Sequence, residues 1–206
     1  MYDLYQDHAP PLVPPERRLE VTERITDGGE VLIELTDDAV IEACAAVKAS
    51  APQACAVCLL FAFQNDEHEK RLCAALAEAI PTIYVSSSSA VQSEFREVER
   101  FSTTVLNAYL QPVMAEYIRE LEAAVTDAAP TASLGLNQSS GGLMSLARSR
   151  DLPIRTALSG PAAGVVGAAH IARQISRPNV ITLDMGGTSA DVALIREASV
   201  PIAFGR

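Results

Sequence analysis

The first part of the chain alternates between strand-like and helix-like patterns of apolar residues. Apolar and polar residues alternate over 19–25, as they do in a half-buried strand. A turn at 27–30 and an apolar segment over 31–35 complete a predicted hairpin. Thr36 is predicted to cap a helix that runs to about Ser50.

The next segment has the pattern of a parallel sheet. The continuous apolar run over 54–61 is typical of a strand that is covered on both faces. Asn65 begins the cap of a helix that ends before Pro81, and residues 82–85 form a further short strand. This alternation of strands and helices predicts a parallel sheet wrapped by helices, and therefore an α/β fold.

A long helix is predicted to begin at Ser102 or Thr103, after a Ser-rich link over 86–89, and to end near Ala128. Pro112 should bend it. Apolar residues recur every four positions along this helix and predict its buried face. The predicted face consists of Val105, Tyr109, Val113, Tyr117, Leu121 and Val125.

The last part of the chain alternates strands, polar loops and helices. A predicted strand over 132–136 leads into a polar loop over 137–142 and a short helix over 143–150. A segment over 157–161 then opens a predicted helix of small residues over 162–175.

The strongest chemical signal is the segment 184–191, which lies between the apolar runs 180–183 and 192–195. Gly186 and Gly187 let the backbone approach a ligand closely and aim N–H groups inward. Hydroxyl donors and carboxylates come from Thr188, Ser189, Asp184 and Asp191. This pattern predicts a phosphate-binding strand–turn–strand of an ATP-handling protein, with a plain Gly-Gly hairpin turn as the structural alternative.

Two further segments are candidate binding sites. Free N–H groups at Ser159 and Gly160, with Pro161 expected as the first helical residue, attract anions through the helix dipole. A well-capped packing helix explains these residues equally well. The other candidate is the loop at the end of a predicted strand, where α/β folds bind ligands, although a plain surface loop has the same composition. Its residues of interest are Asn137, Ser139, Gly141 and Gly142.

Two groups of polar side chains are interpreted as structural. Glu97, Glu99 and Arg100 are expected to form an exposed ion-pair cluster of low energetic value. Cys55 and Cys58 match the CxxC pattern, but positions three apart on a strand point to opposite faces. The four cysteines are therefore expected to be buried free thiols rather than metal ligands or a redox pair.

Composition narrows the class of protein. With 206 residues, 49% of them hydrophobic, the chain can build a core, which excludes global disorder. A formal net charge of -10 argues against general binding to nucleic acid or to anionic membranes. No apolar run reaches the roughly 18–20 residues that span a bilayer. Because the N-terminus also has no signal-peptide pattern, a cytoplasmic location is expected.

Five stretches of the sequence resemble the hydantoinase A/5-oxoprolinase family, which includes the large subunits of acetone carboxylases. They occur in the family's order and cover nearly the whole chain: 57–68, 94–109, 138–144, 158–165 and 184–191. Two positions depart from the family's pattern. Ala190 stands where Thr is usual, and Val98 stands where an aromatic residue is common.

The resemblance implies a partial actin/hexokinase-like (ribonuclease H-like) ATPase fold, with parallel or mixed sheets flanked by helices. Residues 1–100 would be the C-terminal part of the family's N-terminal domain, and 101–206 the N-terminal part of its hydantoinase A domain. The segment 184–191 would be the second of two phosphate-gripping hairpins. Because the first hairpin and the adenosine-contacting region are not found, the sequence is expected to be an internal fragment.

The resemblance also implies ATP and Mg²⁺ as cofactors, and phosphorylation of a carbonyl that leads to opening of a cyclic amide. Asp184 is assigned to Mg²⁺ through water, and Asp191 to holding the loop or polarising water. Cofactor contacts are expected from Gly186, Gly187, Thr188, Ser189, Ser159 and Gly160. Substrate contacts are expected from Asn137, Ser139, Gly141 and Gly142.

Other functions remain open within this resemblance. The chain could belong to an ATP-dependent ketone carboxylase subunit or to a small-molecule kinase of the same superfamily, or it could be a non-catalytic assembly fragment. The expected partners are a small cyclic amide or ketone, and either further copies of the chain or a second subunit. Nucleic acid and membranes are not expected as partners.

Overall fold

A computed structural model describes residues 10–200, and its contacts divide the chain into two units. The first unit is Met1–Pro112 and the second is Val113–Arg206. Both units combine helices with short strands, so the fold class is α/β, as predicted. No helix within the described residues combines the length and apolar character needed to cross a bilayer.

The first unit contains one antiparallel and one parallel pair of strands. Its elements are β1 (Arg24–Ile25), β2 (Val31–Ile33), α1 (Asp37–Ser50), β3 (Ala54–Val57), α2 (Glu67–Ala79), β4 (Tyr84–Ser87), α3 (Ser88–Val91) and the first part of α4 (Glu97–Ala128). β1 pairs antiparallel with β2, and β3 pairs parallel with β4. The predicted hairpin and the predicted parallel connection are therefore both confirmed.

Helix α1 begins where the sequence predicts. Thr36 Oγ1 accepts a hydrogen bond from the N–H of Ala39 at 3.2 Å, which satisfies one of the free donors of the first turn. Asp37 and Asp38 add negative charge at the positive end of the helix dipole. Ala51 follows the helix in the left-handed region, with φ 43°.

The core of the first unit lies between α1, α2 and the parallel strand pair. Its α-helical members are seven residues apart in α1 and four apart in α2, so each helix presents one apolar stripe. The buried residues are Leu35, Val40, Val47, Val57, Leu72 and Leu76. Four cysteines lie in this unit as free, half-buried thiols. Burial first, and the nearby Glu69 carboxylate second, raise the pKa of the Cys58 and Cys73 thiols to about 12.

Strand β3 is shorter than predicted because buried side chains capture the backbone that follows it. The apolar run 54–61 is strand only to Val57. The N–H of Leu59 donates to Glu69 Oε1 at 2.9 Å, and the Leu59 carbonyl accepts from the Arg100 guanidinium at 3.0 Å. Leu59 therefore leaves the ladder and becomes part of a polar cluster.

This polar cluster corrects the interpretation of Arg100 as a surface residue. Arg100 and Glu69 are both completely buried. The Ser88 hydroxyl connects them, since it donates to Glu69 Oε1 at 2.6 Å and accepts from Arg100 Nε at 3.2 Å. The guanidinium also lies about the same distance from the Phe63 and Phe101 rings, 5.2 and 5.1 Å from their centroids.

Helix α4 begins at Glu97, five residues before the predicted start, and it buries a different face. The predicted core residues Tyr109, Val113 and Tyr117 are 64%, 71% and 52% exposed, so that prediction is wrong. The buried face of the helix is largely polar. It consists of Arg100, Thr104, Asn107, Ala108, Gln111 and Ile118.

The polar face of α4 is buried because its groups are hydrogen-bonded. Ser86 Oγ donates to Gln111 at 2.8 Å and accepts from Asn107 at 3.0 Å. Thr104 Oγ1 donates to the Arg100 carbonyl one turn earlier, at 2.7 Å, so this hydroxyl does not cap the helix. Within the described residues, no buried side-chain nitrogen or oxygen lacks a partner, which removes most of the cost of burial.

The second unit contains two antiparallel hairpins and three helical segments. Its elements are the end of α4, β5 (Gly135–Asn137), β6 (Leu143–Ser145), α5 (Leu146–Asp151), a 3-10 turn at Pro153–Thr156, α6 (Ser159–Gln174), β7 (Val180–Met185) and β8 (Ala190–Ile195). The helix predicted over 143–150 is wrong in its first turn, because Leu143–Ser145 pairs with β5 as a strand. The predicted helix of small residues and the final strand–turn–strand are confirmed.

Candidate functional site

The final hairpin places its two carboxylates opposite each other. In the β7–β8 register Asp184 faces Asp191, and Met185 faces Ala190. Side chains directly opposite in an antiparallel pair share a face and lie within about 5 Å at Cβ. Both aspartates are exposed. Because like charges at this spacing repel, the pair is suited to a cation or to ordered water.

The turn of this hairpin, 186–189, uses one of its amides internally and leaves others open. The N–H of Gly186 donates to the Ser189 carbonyl at 2.9 Å, so the expected contact from the Gly186 amide to a phosphate is not available in this conformation. Within the described part of the chain, the N–H groups of Gly187 and Thr188 have no such partner. The open donors are therefore those at the tip of the turn.

The two glycines of this turn have no local conformational role. Neither Gly186 nor Gly187 has φ in the left-handed region that favours glycine. A Cβ on Gly187 would meet nothing within 4 Å, and a Cβ on Gly186 would meet only the Ser189 carbonyl oxygen at 3.9 Å. Within the described residues, the backbone at these two positions is therefore accessible from outside the turn.

The N-terminus of α6 is free of side-chain caps. The helix begins at Ser159, so Pro161 is its third residue and not the first, as expected. Leu158 precedes it with φ 55° and cannot accept a hydrogen bond through its side chain. No acidic residue lies in the first turn. The N–H groups of Ser159 and Gly160 therefore add to the positive end of the dipole.

Helix α6 precedes the hairpin in the chain and packs against both of its strands. The helix is about 24 Å long and is followed, after 175–179, by β7, which is about 20 Å long. α6 covers the hairpin face that carries Val180 and Ile195, and Ile195 is completely buried.

The loop over 138–142 packs beside α6 rather than at the end of a parallel strand. It is the turn of the antiparallel β5–β6 hairpin, which corrects its expected position. The N–H of Ser139 donates to the Arg155 carbonyl at 2.7 Å, and the N–H of Gly141 to the Gln138 carbonyl at 2.9 Å. Gly141 has φ 82°, and a Cβ there would lie 3.1 Å from Val166 of α6.

Sequence reasoning missed Arg155 as part of this region. Its carbonyl holds the loop through Ser139, and the residue is exposed. No acidic partner of its guanidinium lies within residues 10–200. The sequence contains a feature that could have indicated Arg155. It is a basic residue in a chain of net charge -10, and it lies four residues before the start of α6. The second unit therefore carries an exposed cation four residues before the uncapped N-terminus of α6.

The chain belongs to the hydantoinase/oxoprolinase family. The family model described as hydantoinase/oxoprolinase matches residues 100–205, and the model of the hydantoinase/oxoprolinase N-terminal region matches residues 1–80. The family resemblance seen in the sequence is thereby confirmed.

Curated relatives include the caprolactamase subunit alpha of Pseudomonas jessenii, which is 34% identical over 94% of this chain and 28% of its own length. The acetone carboxylase beta subunit of Xanthobacter autotrophicus is 28% identical over 94% of this chain and 27% of its own length. The 5-oxoprolinase of Saccharomyces cerevisiae is 34% identical over 70% of this chain and 11% of its own length.

Solved structures of two such proteins share the fold. The ATP-dependent caprolactamase of Pseudomonas jessenii superposes with a TM-score of 0.85 at 34% identity, over 94% of this chain and 28% of that one. Nucleotide-free acetone carboxylase superposes with a TM-score of 0.78 at 28% identity, over 93% of this chain and 27% of that one. The chain thus spans less than a third of the length of these relatives.

Proposed function

We propose that the chain supplies a phosphate-binding part of an ATP site in an enzyme that opens a cyclic amide. The observation that carries the proposal is the tip of the β7–β8 turn, where the Gly187 and Thr188 amides are open and the Gly187 backbone is left bare. Both structural relatives, caprolactamase and acetone carboxylase, are ATP-dependent, which supports a nucleotide as the ligand.

The proposed architecture is one part of an actin/hexokinase-like ATPase, in which the β7–β8 hairpin would be the second phosphate-binding hairpin. Residues 1–100 and 101–206 would belong to the two family domains named above. Two features support this assignment. Strands β7 and β8 pair antiparallel, and helix α6 packs against one face of the hairpin that they form. In this arrangement, a nucleotide would approach the turn from the open side of Gly187.

The two aspartates are proposed as the acidic part of the site. Carboxylate oxygens are the ligands that Mg²⁺ prefers, and Mg²⁺ usually keeps several waters. Asp184 would hold the ion through water, and Asp191, on the opposing strand, would hold the loop or polarise a water. When bound, the ion neutralises phosphate charge, which is the main electrostatic task in phosphoryl transfer.

Contacts to the phosphates and to the substrate are proposed from three segments. The Thr188 and Ser189 hydroxyls and the Gly187 amide would meet the phosphates, together with Ser159 and Gly160 at the positive end of α6. The substrate would lie near the loop that packs against α6 through Gly141. Its proposed contacts are Asn137, Ser139, Gly141 and Gly142.

The proposed chemistry is carbonyl activation by phosphorylation. The amide oxygen attacks the γ-phosphorus of ATP and the bond to ADP breaks, so the amide carbon carries a phosphate group in place of a poor leaving group. Water then adds to this carbon and the ring C–N bond breaks, which leaves an amine and an acyl phosphate. A second water hydrolyses the acyl phosphate to a carboxylate and free phosphate. Catalysis of the first step rests on positioning and on charge neutralisation.

Ketone carboxylation is the second candidate, because acetone carboxylase shares the fold over 93% of this chain. It would use the same phosphate site with an enolate oxygen as the acceptor. Opening of a cyclic amide is preferred, because the caprolactamase structure has both a higher identity and a higher TM-score to this chain than the acetone carboxylase structure has. A kinase would instead release a phosphorylated product, and an assembly fragment would not turn over ATP.

The proposed partners follow from the names of the relatives. Caprolactamase and acetone carboxylase are represented by chains called subunit alpha and beta subunit. We therefore propose that the active form contains a second subunit or further copies of this chain. Phosphate release in the presence of caprolactam, compared with acetone plus bicarbonate, would distinguish the two substrate classes.

The site is tested by titrating the chain with Mg-ATP in a calorimeter. Gly187→Ala should weaken binding about 10-fold or more, because a methyl group would occupy the space next to the open amides. Its unfolding free energy should stay unchanged, since the new Cβ meets nothing within 4 Å.

Gly28→Ala is the matched control. Gly28 lies in the first unit with an ordinary φ, and its Cβ would meet only Thr26 Oγ1 at 3.8 Å. This variant should bind Mg-ATP like the unaltered chain. Equal affinity of the Gly187→Ala variant, or absence of binding by the unaltered chain, would contradict the proposal.

A further inference from the structure

Both strands of the parallel β3–β4 pair end beside the Glu69 carboxylate. The N–H of Leu59, two residues after β3, donates to Glu69 Oε1 at 2.9 Å. Directly after β4, the Ser88 hydroxyl donates to Oε1 at 2.6 Å and the N–H of Ser89 donates to Oε2 at 2.8 Å. Three donors from two strand ends therefore meet one carboxylate, which helix α2 supplies.

This end of the strand pair is the place where α/β proteins hold ligands. In open α/β sheets, ligands bind in the crevice outside the carboxyl ends of the strands. In the first unit that place is taken by an anion of the chain itself. Glu69 is completely buried, and so are Ser88 and Arg100 beside it. The strand ends therefore contact an internal carboxylate, and the space around it is here called the strand-end pocket.

The donors of the strand-end pocket suit a planar anion with two oxygens. Oε1 of Glu69 accepts two hydrogen bonds and Oε2 accepts one, so both oxygens are held. A positive charge lies one hydroxyl away, because Ser88 Oγ also accepts from Arg100 Nε at 3.2 Å. A phosphate would bring two further oxygens for which these three contacts offer no donor. The pocket therefore favours a carboxylate over a phosphate.

The donors are held in place by contacts that do not involve Glu69. The Arg100 guanidinium also donates to the Glu94 carbonyl at 2.6 Å and to the Leu59 carbonyl at 3.0 Å. Leu59 is thereby fixed through its carbonyl as well as through its N–H. Because Ser88 follows β4 directly, its backbone position depends on the pairing of β3 with β4. The strand-end pocket should therefore persist when the carboxylate is removed.

We propose that the strand-end pocket is a carboxylate-binding site that the chain fills with its own Glu69 side chain. A small free carboxylate should occupy the same site once the Glu69 side chain is shortened. Glu69→Ala removes the carboxylate and one methylene, and formate has the size of the removed carboxylate. The contacts that form the site all lie within the first unit, so the proposal is independent of the nucleotide site proposed in the second.

Urea unfolding of Glu69→Ala in formate tests the site. The variant should be less stable than the unaltered chain, because the N–H groups of Leu59 and Ser89 lose their acceptor. Sodium formate at about 0.1 M should lower its unfolding equilibrium constant about 10-fold more than that of the unaltered chain, as a dissociation constant near 10 mM implies. If the variant is unfolded in buffer, formate should refold it, which circular dichroism measures.

Formamide and phosphate are the control ligands. Formamide has the shape of formate without its charge, and phosphate is an anion with a different geometry. Neither should stabilise Glu69→Ala more than it stabilises the unaltered chain, a comparison that removes the general effect of each solute. Equal responses to formate and formamide, or a variant that stays unfolded in about 0.5 M formate, would overturn the proposal. So would a formate response no larger than that of the unaltered chain.

Glu23→Ala is the matched control variant. The Glu23 side chain is also buried, with 5% exposed, but within the described residues its one partner is His68 Nδ1 at 2.8 Å. A space with a single neighbouring group should not hold formate, so this variant should respond to formate like the unaltered chain. The same response in Glu23→Ala and Glu69→Ala would contradict a site built from the ends of β3 and β4.

Thiol reactivity gives a second readout, which reports the charge in the strand-end pocket. The Glu69 carboxylate contributes to the raised pKa of the Cys58 and Cys73 thiols. In Glu69→Ala both thiols should react faster with iodoacetamide at pH 8, and formate should slow them again by restoring the negative charge. Peptide mass spectrometry resolves the two sites. Equal rates in formate and in formamide would show that no anion enters the pocket, and the proposal would then be wrong.

Discussion

Glycines in this chain serve two different purposes at the scale of single residues. At Gly141 the backbone favours glycine, because φ is 82° and a Cβ would lie only 3.1 Å from the Val166 side chain. At Gly187 neither the backbone nor the neighbours require it. The first glycine is explained by the fold, whereas no contact or backbone angle among the described residues explains the second.

Gly141→Ala should lower the free energy of unfolding by about 1–2 kcal/mol, because Ala is strained at positive φ and its methyl group would press on Val166. Urea unfolding measures this change. Gly164→Ala is the control, since Gly164 lies within α6 and its Cβ would meet nothing within 4 Å. It should raise stability by about 0.5–1 kcal/mol. Equal effects of the two substitutions would contradict the packing described for the loop.

The buried thiols should make the chain sensitive to alkaline pH. The pKa of Cys58 and Cys73 is raised to about 12 in the fold, whereas an unfolded chain releases these protons near pH 9. Between about pH 9 and 12 the folded state therefore holds more protons, and stability falls as pH rises. Urea unfolding from pH 8 to 10.5 should show this fall.

Replacing both thiols tests the origin of the pH effect. A Cys58→Ala/Cys73→Ala variant should be less stable at pH 8 but should lose less stability between pH 8 and 10.5. Both thiols should also react slowly with iodoacetamide at pH 8, because the thiolate is the reactive form. A variant with the same alkaline slope as the unaltered chain would assign the fall to other groups.

At the scale of elements, helix α4 buries polar groups and exposes apolar ones. The hydrophobic period along the helix predicts that Tyr109, Val113 and Tyr117 are buried. This prediction is wrong, because all three side chains are mostly exposed. The polar residues at 100, 104, 107 and 111 have the same helical period and lie inside. A single sequence does not distinguish these two faces, because a regular polar stripe is normally the solvated side. The opposing Glu69, Ser86 and Ser88 reverse this preference.

Arg100→Met should be strongly destabilising, by about 3–5 kcal/mol, because it leaves the Glu69 carboxylate buried without a compensating cation. It also removes the donors to the Leu59 and Glu94 carbonyls. Chemical unfolding measures the loss. Combining Arg100→Met with Glu69→Gln should recover part of the lost stability, since the buried negative charge is then absent.

Arg96→Met is the control for this prediction. Arg96 also lies over an aromatic ring and pairs with a carboxylate, Glu99, at 3.6 Å, but both side chains are about half exposed. Its loss should cost less than about 1 kcal/mol. Similar costs for Arg96→Met and Arg100→Met would show that burial of the cluster does not stabilise the fold.

At the scale of the whole molecule, the two units differ in how their strands are covered. In the first unit β3 packs into a core with α1 and α2. In the second unit β5 and β6 are three residues each, and Met144 is their one buried residue. Elements with few buried apolar contacts open at lower free energy.

Hydrogen exchange should therefore be slower in the first unit. The amides of β3 and α2 should outlast those of β5 and β6 by at least about 10-fold, since each 1.4 kcal/mol of opening energy is a factor of ten. Mass spectrometry of peptic fragments resolves these segments. Faster exchange in β3 than in β5 would contradict the assignment of the core to the first unit.

The sequence by itself determined the start of α1, the parallel β3–β4 connection and the β7–β8 hairpin. These features depend on local capping, turn residues and apolar period, which are encoded within a few neighbouring positions. The family was also evident from short stretches in order. Only the tertiary structure decided that Arg100 is buried, that β3 ends at Val57 and that the 138–142 loop packs against α6. Each of these depends on a partner far away in the chain, such as Glu69, Leu59 or Val166, whose proximity no local pattern reports.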